Sequence, residues 1–263
     1  MLLQTTARKV ILAIIAALLL VTTGKDWFDF YSCGAVNQCL IDAGTLQLLT
    51  KFSMSCLLTV MAFLVSRDSF SKLDAKTLRI TFIFSLLADC SFSMVKFFAP
   101  DARALSNILG IAFFIMFQVV LIHRHTRKSE TDTKPSKVHK FLLIPVAAFA
   151  GALFGGNVIE PTLDNITLAI VAVYAVFLIT SLVIAFLVPR DVYFSAKSAK
   201  LIRWGMVLFF LGDALVGLGL MSGEDHSALQ AVAEIANNFV WWTYVPAQLM
   251  LIASCHKALC QKR

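Results

Sequence analysis

The chain has 263 residues; 59% are Ala, Val, Ile, Leu, Met, Phe, Trp, Tyr or Cys and only 15% are Asp, Glu, Lys or Arg, against about 25% charged in soluble domains. This composition excludes a soluble enzyme, and the 22 Phe among long aliphatic runs exclude intrinsic disorder. The net charge of +7 comes with no basic face carrying aromatic or groove-reading residues, so nucleic acid is not an expected partner.

In chain order, the apolar stretches between charge clusters predict eight membrane-spanning helices: Val10–Thr23, Thr45–Val65, Ile80–Phe98, Ala104–Ile122, Phe141–Gly156, Ile166–Val188, Ile202–Met221 and Ala233–Ser254. A span needs about 20 apolar residues, so the first and fifth are short. The expected fold is an all-α polytopic membrane helix bundle forming one integral membrane domain over residues 1–263, with no room for a soluble domain. The first stretch follows Arg8 and Lys9 and has the length of a signal-peptide apolar region. Because Val21-Thr22-Thr23-Gly24 offers no small-residue cleavage site, it is expected to be a retained helix.

Of the 23 Lys and Arg, 19 fall in the N-terminal segment, the loops after the second, fourth and sixth spans, and the tail. Cytoplasmic loops carry the Lys/Arg excess, so both termini are expected in the cytoplasm, of a bacterial inner membrane. The six Cys are scattered, and only Cys33 and Cys39 share an outer loop, where a disulfide would be allowed but is not demanded. His123, His125 and His139 lie in the basic fourth loop and are expected to be solvated rather than metal-binding.

Two spans match around one acid each. Leu86-Leu87-Ala88-Asp89 aligns with Phe210-Leu211-Gly212-Asp213, and Arg79 and Arg203 each precede their aspartate by ten residues. The following spans match too, Asn107 and Phe114-x-x-x-Gln118 with Asn237 and Tyr244-x-x-x-Gln248. The result is an expected parallel internal repeat of spans 3–4 and 7–8. With the arginines as boundary marks, both carboxyls would lie about 15 Å inside the membrane, near its midplane. Carboxyls at that depth are costly and are functional candidates by default. One protonated and one ionised aspartate can supply a general acid and a general base together. Asn107, Gln118, Asn237 and Gln248 fit polar-ligand binding or interhelical hydrogen bonding equally well, and Tyr244 either. Lys51 could bind a phosphate, pair with an acid or snorkel to the outer interface.

The segments Ser85-Leu86-Leu87-Ala88-Asp89, Gly110-Ile111-Ala112-Phe113-Phe114, Phe210-Leu211-Gly212-Asp213 and Thr243-Tyr244-Val245-Pro246-Ala247-Gln248 together resemble the YhhN-like lysoplasmalogenase family, eight-helix membrane proteins with an acid in equivalent spans. The resemblance implies that Asp89 and Asp213 are the catalytic acids and that Tyr244 and Gln248 line their pocket. Two positions depart from the family pattern: Lys51-Phe52 replaces Lys-Pro, and Gln118 replaces a His. The implied reaction cleaves the vinyl ether of a lysoplasmalogen, giving a fatty aldehyde and a glycerophospho-base without metal or cofactor. The implied partners are a lysophospholipid and the bilayer. Paired acids in parallel repeats also fit a proton-coupled transporter, and a lipid-binding protein without turnover is a third reading. No G-x-S-x-G nucleophile motif is present.

Overall fold

The computed structural model describes residues 2–33, 43–95, 98–99, 102–127, 165–188, 193–221 and 227–259. In lipid, an apolar run satisfies its backbone polar groups internally only as a helix or a closed barrel. The described residues form seven α-helices and no strand: α1 Thr6–Cys33, α2 Ala43–Ser66, α3 Lys72–Cys90, α4 Arg103–His125, α5 Asn165–Leu187, α6 Ala196–Met221 and α7 Ser227–Ala253. A π-helical turn, Ser91–Val95, extends α3. Six are long and apolar enough to cross a bilayer, over Thr6–Phe28, Leu48–Ser66, Lys72–Val95, Leu105–His125, Leu168–Leu187 and Ala196–Leu218, as in a multi-pass membrane protein. Helix α7 has the length, but Asn237, Asn238, Gln248 and an internal Pro246 dilute its apolar character. The expected span Phe141–Gly156 lies outside the described residues.

Helices α1 and α3 start earlier than charge placement predicts, because charges taken as boundary marks are neutralised inside the bundle; α6 and α7 also start ahead of the expected Ile202 and Ala233. In α1, Arg8 donates to Asp68 Oδ2 at 2.5 Å and to the Leu64 carbonyl at 2.6 Å. In α3, Asp74 pairs with Arg124, while Arg79 donates to Ser66 Oγ at 2.7 Å and lies over the Phe63 ring. Helix α6 begins after Ser195, whose hydroxyl caps the Ser198 N–H at 3.1 Å.

Arg124 and His125 correct a second expectation, that both are solvated loop residues. Arg124 is fully buried and holds both Asp74 carboxylate oxygens, at 2.8 and 2.9 Å, with its remaining nitrogen on Ser254 Oγ at 3.0 Å. His125 is buried against Phe194. The helix continues past the apolar run because the guanidinium finds a complete set of acceptors there.

These contacts share one end of the bundle. Asp68 also meets Lys257, the Phe70 N–H donates to the Cys255 carbonyl, Arg127 donates to Thr77, and Tyr193 donates to Ser71. This end gathers much of the basic sequence. Between the ends, Met54, Leu58, Phe82, Phe117, Phe209 and Leu251 belong to one apolar core. The broadest helix pairings are α6 with α7 and α3 with α4. Two glycines make them possible: a Cβ on Gly212 would stand 2.7 Å from Thr243 Oγ1, and one on Gly110 would stand 2.5 Å from the Phe92 ring.

Candidate active site

Asp89 lies 17 residues after the first residue of α3, and Asp213 lies 17 after the first residue of α6. At 1.5 Å per residue each carboxyl therefore lies about 26 Å along its helix from the first residue, so the two occupy matching positions in α3 and α6, away from the basic end.

Asp89 Oδ2 accepts two hydroxyl protons, from Ser55 Oγ on α2 at 2.6 Å and from Tyr244 OH on α7 at 2.8 Å. Since the phenol proton is committed to Asp89, the 2.8 Å contact with Ser85 Oγ makes Ser85 the donor to Tyr244. Gln248 Nε2 in turn donates to Ser85 at 3.1 Å. A one-directional relay therefore runs from Gln248 through Ser85 and Tyr244 to Asp89. Among the described residues Asp213 Oδ2 accepts one hydroxyl, from Tyr174 on α5 at 2.5 Å. The two carboxyls lie within range of each other's charge, and both keep part of their surface accessible.

Aromatic rings fill the space between the two hydroxyl systems. Phe114 lies 6.3 Å from the Tyr174 ring and 6.4 Å from that of Tyr244, edge-on to the latter, and Phe209 closes on Tyr244 at 5.7 Å. These rings put an apolar surface beside the acids, which strengthens any charge interaction made there. The π-helical turn follows Asp89 by two residues; its Ser91 carbonyl is bonded by Ser106 Oγ of α4 at 2.8 Å. Such turns commonly re-aim side chains at functional sites.

Of the residues singled out in the sequence, Asp89, Tyr244 and Gln248 belong to one hydrogen-bonded chain, and Asp213 stands beside it. Gln118 is fully buried and faces Tyr174, but neither amide atom reaches hydrogen-bond geometry with the protein. Lys51 pairs with Asp26 of α1 at 3.8 Å, one turn along α2 from Ser55. Asn107 is partly buried and Asn237 exposed, while Asn238 is buried with its Nδ2 unbonded. Lys51, Asn107 and Asn237 all lie further from the basic end than the acids. Ser55, Ser85 and Tyr174 were not singled out as site residues. Each is a hydroxyl on a largely apolar helix, and the α5 span that contains Tyr174 still has a mean hydropathy of 2.8, so nothing in the sequence marks it.

No curated protein and no solved structure matches the chain. Residues 46–255, which hold both aspartates and every hydroxyl that bonds them, match the YhhN family, and the chain belongs to that family.

Proposed function

We propose that this protein is a membrane hydrolase that cleaves the vinyl ether of lysoplasmalogens, releasing a fatty aldehyde and a glycerophospho-base. The observation that carries the proposal is the carboxyl pair itself, Asp89 and Asp213, each bonded by hydroxyls and faced by aromatic rings within apolar helices. A vinyl ether joins its chain to glycerol at the boundary between headgroup and hydrocarbon, and carboxyls held among apolar helices can meet it there. The acyl-like tail then runs into the apolar space between helices, and the headgroup lies toward Lys51, Asn107 and Asn237.

The chemistry suits two carboxyls and no other group. Hydrolysis begins with proton transfer to the alkene carbon remote from the ether oxygen, which leaves an oxocarbenium ion. A positioned acid supplies the proton and a nearby anion stabilises the cation beside an apolar aromatic surface. Membership of the YhhN family supports the same reading. The test is aldehyde release from a 1-alkenyl lysophospholipid by protein in liposomes. Wild type turns the substrate over, and Asp89→Asn and Asp213→Asn lose at least about a hundredfold in kcat, the size of a general acid-base contribution. Normal turnover by both variants overturns the mechanism, and proton-driven uptake without product overturns the reaction.

A further inference from the structure

The two aspartates occupy matching positions but unequal surroundings, and we infer from that inequality that Asp213 is the proton donor and Asp89 the standing anion. This assignment rests on the proposed hydrolase reading. Asp89 Oδ2 receives two O–H donors, Ser55 at 2.6 Å and Tyr244 at 2.8 Å, and Tyr244 is itself backed by Ser85 and Gln248. Among the described residues Asp213 receives one, from Tyr174. Donors aimed at a carboxyl favour its charged form, and two in series with a polarised relay favour it more than one.

The cause of the inequality is readable in the chain. Helix α2 supplies Ser55 to Asp89 on α3, and helix α5 supplies Tyr174 to Asp213 on α6, so each acid takes one hydroxyl from the helix before its own. The second donor to Asp89 is Tyr244, and the residue 130 positions earlier, in the matching stretch of α4, is Phe114. A phenyl ring has no hydroxyl to give. Phe114 instead packs between Tyr174 and Tyr244. One side of the site is thus built to hold a negative charge, and the other to hold a proton beside an apolar ring.

The assignment closes a full cycle. The Asp213 proton passes to the remote alkene carbon, whose π pair forms the new C–H bond, and the carbon bearing oxygen becomes the oxocarbenium centre facing Asp89. Water adds to that carbon and gives one proton to Asp89, producing the hemiacetal. As it breaks down, Asp213, now a carboxylate, takes the hemiacetal hydroxyl proton while Asp89 returns its proton to the departing glycerol oxygen. Aldehyde and alcohol leave, Asp213 is protonated again and Asp89 is again an anion.

A cationic probe reads this distribution without turnover. A lysophospholipid analogue with an ammonium group in place of the vinyl ether mimics the oxocarbenium charge, and a saturated alkyl-ether lysophospholipid serves as the neutral control. Asp89→Asn is expected to weaken ammonium-analogue binding about tenfold or more, the size of a lost close charge pair, while Asp213→Asn changes it less than about threefold. Each variant's affinity for the ammonium analogue is read against its own affinity for the neutral ether, and thermal unfolding in detergent shows that each is folded. Loss confined to Asp213→Asn overturns the assignment, as does equal loss in both variants or loss in neither. If wild type releases no aldehyde yet the analogue discriminates as expected, the charge assignment stands and the proposed reaction falls.

Discussion

Tyr244→Phe removes one oxygen from the site and tests whether the relay to Asp89 matters to turnover. The phenol donates to Asp89 Oδ2 at 2.8 Å and accepts from Ser85, which Gln248 still holds at 3.1 Å after the change. The ring contacts with Phe114, Phe209 and Trp241 survive, because phenylalanine fills the same volume. What is lost is one hydrogen bond to a charged acceptor, about 1.5–3 kcal/mol. If that bond supports the transition state, kcat/KM for aldehyde release falls about 10- to 150-fold. Ser55 still donates at 2.6 Å, so the loss is partial. Adding Ser55→Ala strips the carboxylate of both hydroxyl donors, and the double variant loses more than the product of the two single effects, as members of one network do. The measurement is steady-state aldehyde release at matched protein amounts, with thermal unfolding in detergent to confirm the fold. A Tyr244→Phe enzyme within twofold of wild type, or a double variant no worse than the poorer single one, refutes the reasoning.

Other consequences can be measured on the same preparation. Asp74→Leu leaves the Arg124 guanidinium buried without its anion and costs about 3–5 kcal/mol, a fall of about 6–20 °C in unfolding temperature at this chain length; Asp74→Leu with Arg124→Met recovers most of that, and a single variant within 2 °C of wild type contradicts the buried pair. Gly212→Ala places a Cβ against Thr243 Oγ1, so unfolding temperature and turnover both drop, and Thr243→Ala in the same chain restores them. His256 accepts the Ala258 N–H on Nδ1 and bonds Gln4 Oε1 through Nε2 at 2.6 Å, the arrangement of a neutral imidazole, and burial holds its pKa below the usual 6.5. A depressed pKa contributes stability that is present above the unfolded value and lost as pH falls, so unfolding temperature should decline below about pH 6.5, and His256→Gln should flatten that decline. Asp68, held below the ordinary carboxylate range by its hydrogen bond from Arg8, adds a loss of the same sign at more acidic pH, absent in Asp68→Asn. Lys51→Met separates two roles: if Lys51 binds the headgroup, KM rises with kcat unchanged, and if it serves only the pair with Asp26, stability falls and KM does not move.

The sequence shows the two acids clearly because a carboxyl in an apolar run is costly unless it is paired or used, and the common spacing of Tyr244 and Gln248 with Phe114 and Gln118 points to two members of the relay. The helix starts are not legible in the same way. Hydropathy counts every charge as a meeting with water, but Arg8, Asp74 and Arg124 meet one another or neighbouring acceptors instead, so helices run through the marks that seem to end them. Ser55 and Tyr174 escape notice for the opposite reason. A hydroxyl hardly disturbs hydropathy, and its importance arises only when another helix brings a carboxyl to it. Lys51 is the intermediate case: pairing with an acid is among its readable options, but only the packing of α1 on α2 names Asp26 as the partner.

The contacts at the basic end also bear on the order of assembly. Gln4 meets His256, Asp68 accepts from Lys257 through its carbonyl at 2.9 Å, and Phe70 donates to Cys255. Every one of these joins an early part of the chain to residues made after α7. While the protein is being synthesised and inserted, Asp68 can already hold Arg8, but the clasp around it stays open until α7 is in place. The same helix carries Tyr244 and Gln248 to Asp89. The clasp and the active site are therefore completed by one event, and a chain still lacking α7 holds two acids without the machinery that makes them unequal.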